Sequence, residues 1–161
     1  MTFTGHEPQV LFAVQDRLLQ DEIQKGIFGH LPATALNMCF GADPATGFMD
    51  LIVVGVSALP QDTSIAWLRQ RGEFPRCGVI VKMEERAKWA ELAAIHAERP
   101  FKFVVAVGGP REKITQMFPG TRTIVDISDL AIPGKLVADF IWSAAQESAS
   151  APKFHRKRRI S

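Results

Sequence analysis

Short apolar runs alternate along the chain with stretches in which apolar residues recur at helical spacing. Leu51–Val56 is a continuous apolar run, which is typical of a strand covered on both faces. Leu19, Ile23, Ile27 and Leu31 instead recur at every fourth position, which predicts a helix with one apolar face. The two patterns follow one another along the chain, so the sequence predicts strands and helices in alternation.

Five strands and a candidate sixth follow from this alternation. The predicted strands are Gln9–Val14, Thr34–Phe40, Leu51–Val56, Gly78–Met83, Phe103–Val107 and, as the sixth, Thr123–Ile127. The predicted helices are Asp16–Leu31, Asp62–Arg71 with Asp62 as its N-cap, Glu84–Glu98, a short helix ending at Phe118, and Pro133–Gln146. Such alternation favours parallel strands joined by right-handed crossovers. We therefore expect an α/β fold: a three-layer, doubly wound, mostly parallel sheet of five or six strands.

The length of 161 residues corresponds to one domain, and charge separates its body from its end. Ser148–Pro152 is small, polar and proline-containing, so we expect a single domain over residues 1–147 and a flexible tail over 148–161. The tail has a charge of +5 and residues 1–150 a charge of about −3. Its basic residues are Lys153, Arg156, Lys157, Arg158 and Arg159.

Several classes of protein find little support in the composition. No apolar run reaches the roughly 18 residues of a membrane helix, and Met1–Pro8 lacks the basic start of a signal peptide. Cys39 and Cys77 lie on separate predicted strands, where we expect small buried hydrophobes. The four histidines are scattered, which disfavours a zinc site. We expect a cytoplasmic protein without a metal or a cofactor.

Two segments resemble the receiver domain of bacterial response regulators. Val10–Gln24 is similar to that family's first strand, acidic pair and first helix, and Met49–Arg71 to its third strand, proline-containing loop and third helix. The resemblance covers about two thirds of the body. It implies a flavodoxin-like or receiver-like fold with a pocket at the carboxyl ends of the strands. In the family this pocket holds magnesium and a phosphorylatable aspartate.

The residues that carry this chemistry in the family are mostly replaced here. Asp16 keeps one acid of the pair, and Gln15 stands for the other. Gly55 stands at the phosphoacceptor position, Met83 at that of the hydroxyl and Gly109 at that of the lysine. A hard cation needs anionic oxygen ligands, and an acyl phosphate needs a carboxylate nucleophile. The resemblance therefore implies a pseudo-receiver domain that lacks the phosphoacceptor aspartate.

Ligands of open parallel sheets bind beyond the carboxyl ends of the strands. Gly108–Arg111 could present backbone amides to an anion there, or could simply be a strand-to-helix turn that needs glycine. Asp16, Lys82 and Glu84 could form an acid–base cluster, or could be charges selected by exposure. No catalytic residue is assigned. The candidate ligand or anion-binding residues are Asp16, Ser57, Lys82, Gly108, Gly109 and Arg111.

Three functions are compatible with these features. The first is a non-catalytic regulatory or protein-interaction module that uses a helix face for protein contacts and the basic tail for an anionic partner. The second is a small enzyme or ligand-binding protein with an anion site at the strand carboxyl ends. The third is a nucleic-acid accessory protein that binds through its tail. The resemblance also implies a homodimer formed by helices near the last strands. Trp67, Trp89 and Trp142 lie on predicted helices, where we expect core residues, and exposure of Trp89 or Trp142 would instead indicate a partner surface.

Overall fold

The computed structural model describes residues 8–31, 37–41, 50–70, 76–83, 85–107, 111–127 and 134–150. These residues form six strands and five α-helices. The strands are β1 (Gln9–Val14), β2 (Asn37–Gly41), β3 (Leu51–Ser57), β4 (Cys77–Lys82), β5 (Phe103–Val107) and β6 (Arg122–Ile127). The helices are α1 (Arg17–Gly26), α2 (Ser64–Gln70), α3 (Arg86–Glu98), α4 (Arg111–Met117) and α5 (Gly134–Ser150).

All six strands are parallel, in the order β2-β1-β3-β4-β5-β6. This confirms the predicted three-layer α/β fold, and the structure adds the strand order, which is flavodoxin-like with β6 at one edge. The direction of winding reverses between β1 and β3. Because the strands are parallel, the sheet has a carboxyl edge, where all strands end, and an amino edge, where all strands begin.

Two apolar layers fill the space on the two faces of the sheet. On one face, Phe12, Val53 and Phe103 pack with α1 and α5. On the other, Val54 and Val81 pack with α2, α3 and α4. The alternation of β3 side chains between these clusters follows from the two-residue period of a strand. Burial of β3 on both faces explains why its sequence is a continuous apolar run.

Helix α5 crosses its face of the sheet from the side of β1 to the side of β5. Its first residue packs against the end of α1, since a Cβ on Gly134 would collide with the carbonyl oxygen of Gly26. Phe140 packs on Phe103, with ring centroids 6.2 Å apart, and Glu147 lies beside Lys102 just before β5. The last turns of α5 therefore lie at the amino edge.

Several helix ends differ from the prediction. The α-helix α1 ends at Gly26, and Phe28–His30 forms a 3₁₀ turn, although Ile27 and Leu31 are buried as expected. Helix α3 begins two residues later than predicted, at Arg86. Helix α5 continues to Ser150 instead of ending at Gln146, because the buried face of the helix extends as far as Ser148. The helix thus includes the first three residues of the predicted tail, and residues 151–161 lie outside the described residues.

The tryptophans contribute to the core. Trp89 is fully buried and its indole Nε1 donates to the carbonyl oxygen of Met83 over 3.1 Å, while Trp67 and Trp142 are half-buried against the two clusters. Cys77 is buried, as predicted. A homodimer stays a prediction. None of the helices in the described part of the chain is long and apolar enough to cross a membrane.

Candidate functional site

Three of the predicted site residues lie at the carboxyl edge. Ser57 ends β3 and pairs in register with Lys82, the last residue of β4, which pairs with Val107 at the end of β5. Asp16 follows the end of β1 by two residues. The sheet therefore brings Asp16, Ser57 and Lys82 to one edge, and the contacts of each decide what chemistry is available there.

The hydroxyl of Ser57 is bound to a carboxylate. Its Oγ and its backbone N–H both donate to Oδ2 of Asp62 over 2.9 Å, and Oδ1 of Asp62 accepts from the N–H of Ser64 over 2.8 Å. Only 2 % of Ser57 is exposed. Asp62 thus joins the end of β3 to the start of α2. Because the helix begins at Ser64, Asp62 lies one residue before the N-cap position that was predicted for it, and it accepts from the first helical N–H group.

A reciprocal pair of bonds joins the end of β1 to the same helix. Nε2 of Gln15 donates to Oγ1 of Thr63 over 2.8 Å, and the N–H of Thr63 donates to Oε1 of Gln15 over 3.0 Å. The amides of Thr63 and Ser64 at the start of α2 are therefore satisfied by side chains. Gln15, which stands where the resemblance places an acid, acts here as a clamp between β1 and α2.

Asp16 and Lys82 also bond within the protein. Oδ1 of Asp16 accepts from the N–H groups of Leu18 and Leu19 over 2.9 and 3.4 Å and caps α1. Nζ of Lys82 forms an ion pair with Oε2 of Glu22 on α1. The partner of Lys82 is thus Glu22, and Glu84, the third member of the proposed acid–base cluster, lies outside the described residues.

Gly55 lies inside β3, two residues before the end of the strand. A Cβ at this position would lie 2.8 and 2.9 Å from Cγ1 and Cγ2 of Val14 and 3.2 Å from Cδ2 of Leu19. Contacts under 3.0 Å require the side chain of Val14 or the backbone to shift, which is costly in a close-packed interior. The glycine therefore permits β1 and α1 to pack directly on β3, and the residue at the end of the strand is Ser57.

The remaining predicted residues have no described side chains. Arg111 begins α4, and its side chain, Gly108, Gly109 and the basic tail from Lys153 to Arg159 lie outside the described residues. Among the described residues, no group of three or more potential ligands could hold a metal ion. The predictions at these positions stay predictions.

Sequence reasoning missed most of the partners. Asp62 was predicted as a cap, but its bonds to Ser57 were not, although the two residues are only five positions apart. The sequence around Glu22 does not indicate an ion pair, because its partner Lys82 is 60 residues away along the chain. Thr63 likewise meets Gln15 across 48 residues. These contacts depend on the strand order, which the sequence pattern does not define.

In the described part of the carboxyl edge, the polar side chains connect the ends of strands to neighbouring helices. Ser57 donates to a carboxylate, and neither of the two described histidines is its partner: His96 packs between Phe101 and Phe118 near the amino edge, and His30 ends the 3₁₀ turn after α1. A serine nucleophile needs a base that can accept its proton and pass it on. Compared with protein-family models, with curated proteins and with solved structures, the chain matches none.

Proposed function

We propose that this protein is a non-catalytic, cytoplasmic regulatory or interaction module with a receiver-like fold that lacks the phosphoacceptor. The observation that carries the proposal is the bonding of Ser57 and Asp62, since the hydroxyl at the end of β3 is buried and its hydrogen bond is used to hold α2. The bonds of Gln15, Asp16 and Lys82 support the same interpretation. At such an edge the polar side chains hold strands and helices together instead of being presented to a substrate.

The packing around Gly55 supports the absence of phosphoryl chemistry. The space that an aspartate side chain would need is occupied by Val14 and Leu19. Incubation with acetyl phosphate and magnesium is expected to leave the mass of the protein unchanged. An added mass of one phosphoryl group, mapped to the described carboxyl edge, would contradict the proposal.

The basic tail supplies the contact with an anionic partner. Its five positive side chains face no acid within the tail, and the remainder of the chain is mildly acidic. Opposite charges at the two parts of one chain favour a partner that is bound by the tail and oriented by the body. We propose an acidic segment of another protein as that partner.

The experiment compares three forms of the protein. These are the full chain, a chain ending at Ser150, which retains every described residue, and a full chain carrying Arg156→Lys, Arg158→Lys and Arg159→Lys. Fluorescence anisotropy with labelled oligoglutamate is expected to show binding by the full chain and by the lysine variant, because both have the +5 tail. Loss of binding in the lysine variant, or equal binding by the truncated chain, would contradict a charge-based role for the tail.

Nucleic acid is the second candidate partner, and the tail charge is the observation that favours it. Five phosphate contacts would give the logarithm of the binding constant a slope of about −4.5 against the logarithm of salt concentration on duplex DNA. A slope of that size with DNA, together with no measurable binding of oligoglutamate at the same salt, would replace the protein partner by nucleic acid.

A further inference from the structure

A cleft of about 300 Å³ opens at the amino edge, at the opposite end of the sheet from the joints described above. It lies between the segments that lead into β5 and β6 and the last turns of α5. Its volume is at the lower end of the range of small-molecule sites. The residues that line it include Phe101, Lys102, Thr121, Arg122, Ala144 and Glu147.

The walls of this cleft are held in place by buried and partly buried hydrogen bonds. Nδ1 of His96 accepts from the N–H of Phe101 over 3.1 Å, which leaves Nε2 as the protonated nitrogen, 3.3 Å from the carbonyl oxygen of Pro119. Oγ1 of Thr121 donates to the carbonyl oxygen of Phe101 over 2.7 Å. The segment before β6 is thus bonded, on both sides of Gly120, to His96 and to the segment before β5. These bonds form the cleft before any ligand binds.

The charged side chains of the cleft are loosely engaged. Nζ of Lys102 lies 3.7 Å from Oε1 of Glu147, beyond hydrogen-bond distance, and both side chains are partly exposed. The guanidinium of Arg122 lies over the ring of Phe140, with Cζ 6.0 Å from the centroid. A ring contact of this kind uses no N–H donor, and Arg122 is exposed, so its N–H groups are available to donate.

The cleft is lined by both positive and negative side chains. Lys102 and Arg122 suit a carboxylate, and Arg in particular can donate two parallel hydrogen bonds to one. Glu147 suits an ammonium group. Pro100 and Gly120 follow the carboxyl ends of α3 and α4, where the helix dipoles also favour positive charge and oppose a ligand that carries only negative charge.

We propose that this cleft binds a small zwitterion of the α-amino-acid type. Its carboxylate is bound by Arg122 and Lys102, and its ammonium group by Glu147, so that one weak internal ion pair is exchanged for two. The short side chain of Ala144, which lines the cleft, leaves space for a small substituent on the ligand. The site does not depend on the function proposed for the carboxyl edge or the tail.

The test is a titration of the full chain with L-alanine, L-leucine and L-glutamine, followed by the NMR shifts of its backbone amides. We expect saturable shifts at Lys102, Thr121 and Glu147 with at least one of them. Propionate, which has the carboxylate of L-alanine without the ammonium, is expected to bind about tenfold more weakly than L-alanine. Mapping by amide excludes binding to the basic tail.

Three variants decide the roles of the side chains. Arg122→Gln and Glu147→Gln are each expected to weaken binding about tenfold, because each removes a charged partner of the ligand. Lys135→Gln on the same helix, whose exposed ion pair with Asp139 lies outside the cleft, is the matched control and is expected to have no effect. Dispersed amide spectra of every variant confirm that it is folded.

Two results would overturn the proposal. The first is the absence of saturable shifts at the cleft with all three amino acids up to their solubility. The second is an equal affinity of the unmodified protein for propionate and for L-alanine, since a site that gains nothing from the ammonium group is a simple anion site.

Discussion

At the carboxyl edge Ser57 is hydrogen-bonded to Asp62, and Lys82 forms an ion pair with Glu22. At the amino edge, by contrast, Nζ of Lys102 and Oε1 of Glu147 lie 3.7 Å apart, and Arg122 lines the same cleft. In open parallel sheets the first of these edges is the usual place for a ligand. In the described part of this protein, the polar side chains of the carboxyl edge are held by hydrogen bonds and an ion pair within the fold. Position in the sheet therefore indicates where to look for a site, and the bonds already formed indicate whether one is available.

The largest expected effect tests how tightly the carboxyl edge is packed. Gly55→Asp places a carboxylate against Val14 and Leu19 and is expected to lower the free energy of unfolding by about 4 kcal/mol or more. Gly55→Ala, which adds only the methyl group, should cost about 1–3 kcal/mol. Urea unfolding monitored by circular dichroism measures both.

Gly29→Asp is the matched control for this substitution. Nothing lies within 4 Å of a Cβ at Gly29, and the residue is exposed. We expect a change of less than about 1 kcal/mol in either direction. Equal stability of the two aspartate variants would show that the region around Gly55 has room for a side chain, and the comparison between the two edges would lose its main support.

The second effect concerns the joint between β3 and α2. Asp62→Ala removes the acceptor of three hydrogen bonds from Ser57 and Ser64 and is expected to cost about 2–3 kcal/mol. Asp139→Ala removes an exposed carboxylate whose ion pair with Lys135 spans 3.5 Å and should cost less than about 0.5 kcal/mol. Thermal unfolding of both variants makes the comparison. A similar small cost for both would mean that Ser57 is not held by Asp62.

The smallest effect concerns the ion pair between β4 and α1. In a double-mutant cycle with Lys82→Met and Glu22→Gln, we expect a coupling energy of about 0.2–1 kcal/mol, because 41 % and 27 % of the two side chains are exposed. The coupling should decrease as salt is added. Zero coupling at low salt would leave Lys82 available to a ligand and would restore it as a candidate binding residue.

The strands were easier to predict than the helix ends. β1 and β5 have the predicted bounds because each is a short apolar run with polar or glycine residues around it. Helix α1 is shorter than its apolar repeat because Ile27 and Leu31 remain buried through a 3₁₀ turn, which has a similar side-chain spacing. Helix α5 is longer than predicted because its small residues Ala144, Ala145 and Ser148 continue the buried face.

For the candidate sites, too, one part could be predicted from the sequence and another could not. The sequence correctly places Asp16, Ser57 and Lys82 at one edge, because strand ends can be read from the apolar pattern. It does not reveal that Lys82 is bonded to Glu22, since these two residues meet only through the strand order, as Gln15 and Thr63 do. The cleft was missed because Lys102, Arg122 and Glu147 belong to three elements, and only the path of α5 across the sheet brings Glu147 to the other two.

One spectrum compares the two edges directly. The amide shifts of the full chain during titration with the three amino acids are recorded at Lys102, Thr121 and Glu147 at the amino edge, and at Asp16, Ser57 and Lys82 at the carboxyl edge. Our account predicts saturable shifts at the first group and none at the second. Shifts confined to the carboxyl edge or to the turn from Gly108 to Arg111, or the absence of shifts at the cleft, would contradict it.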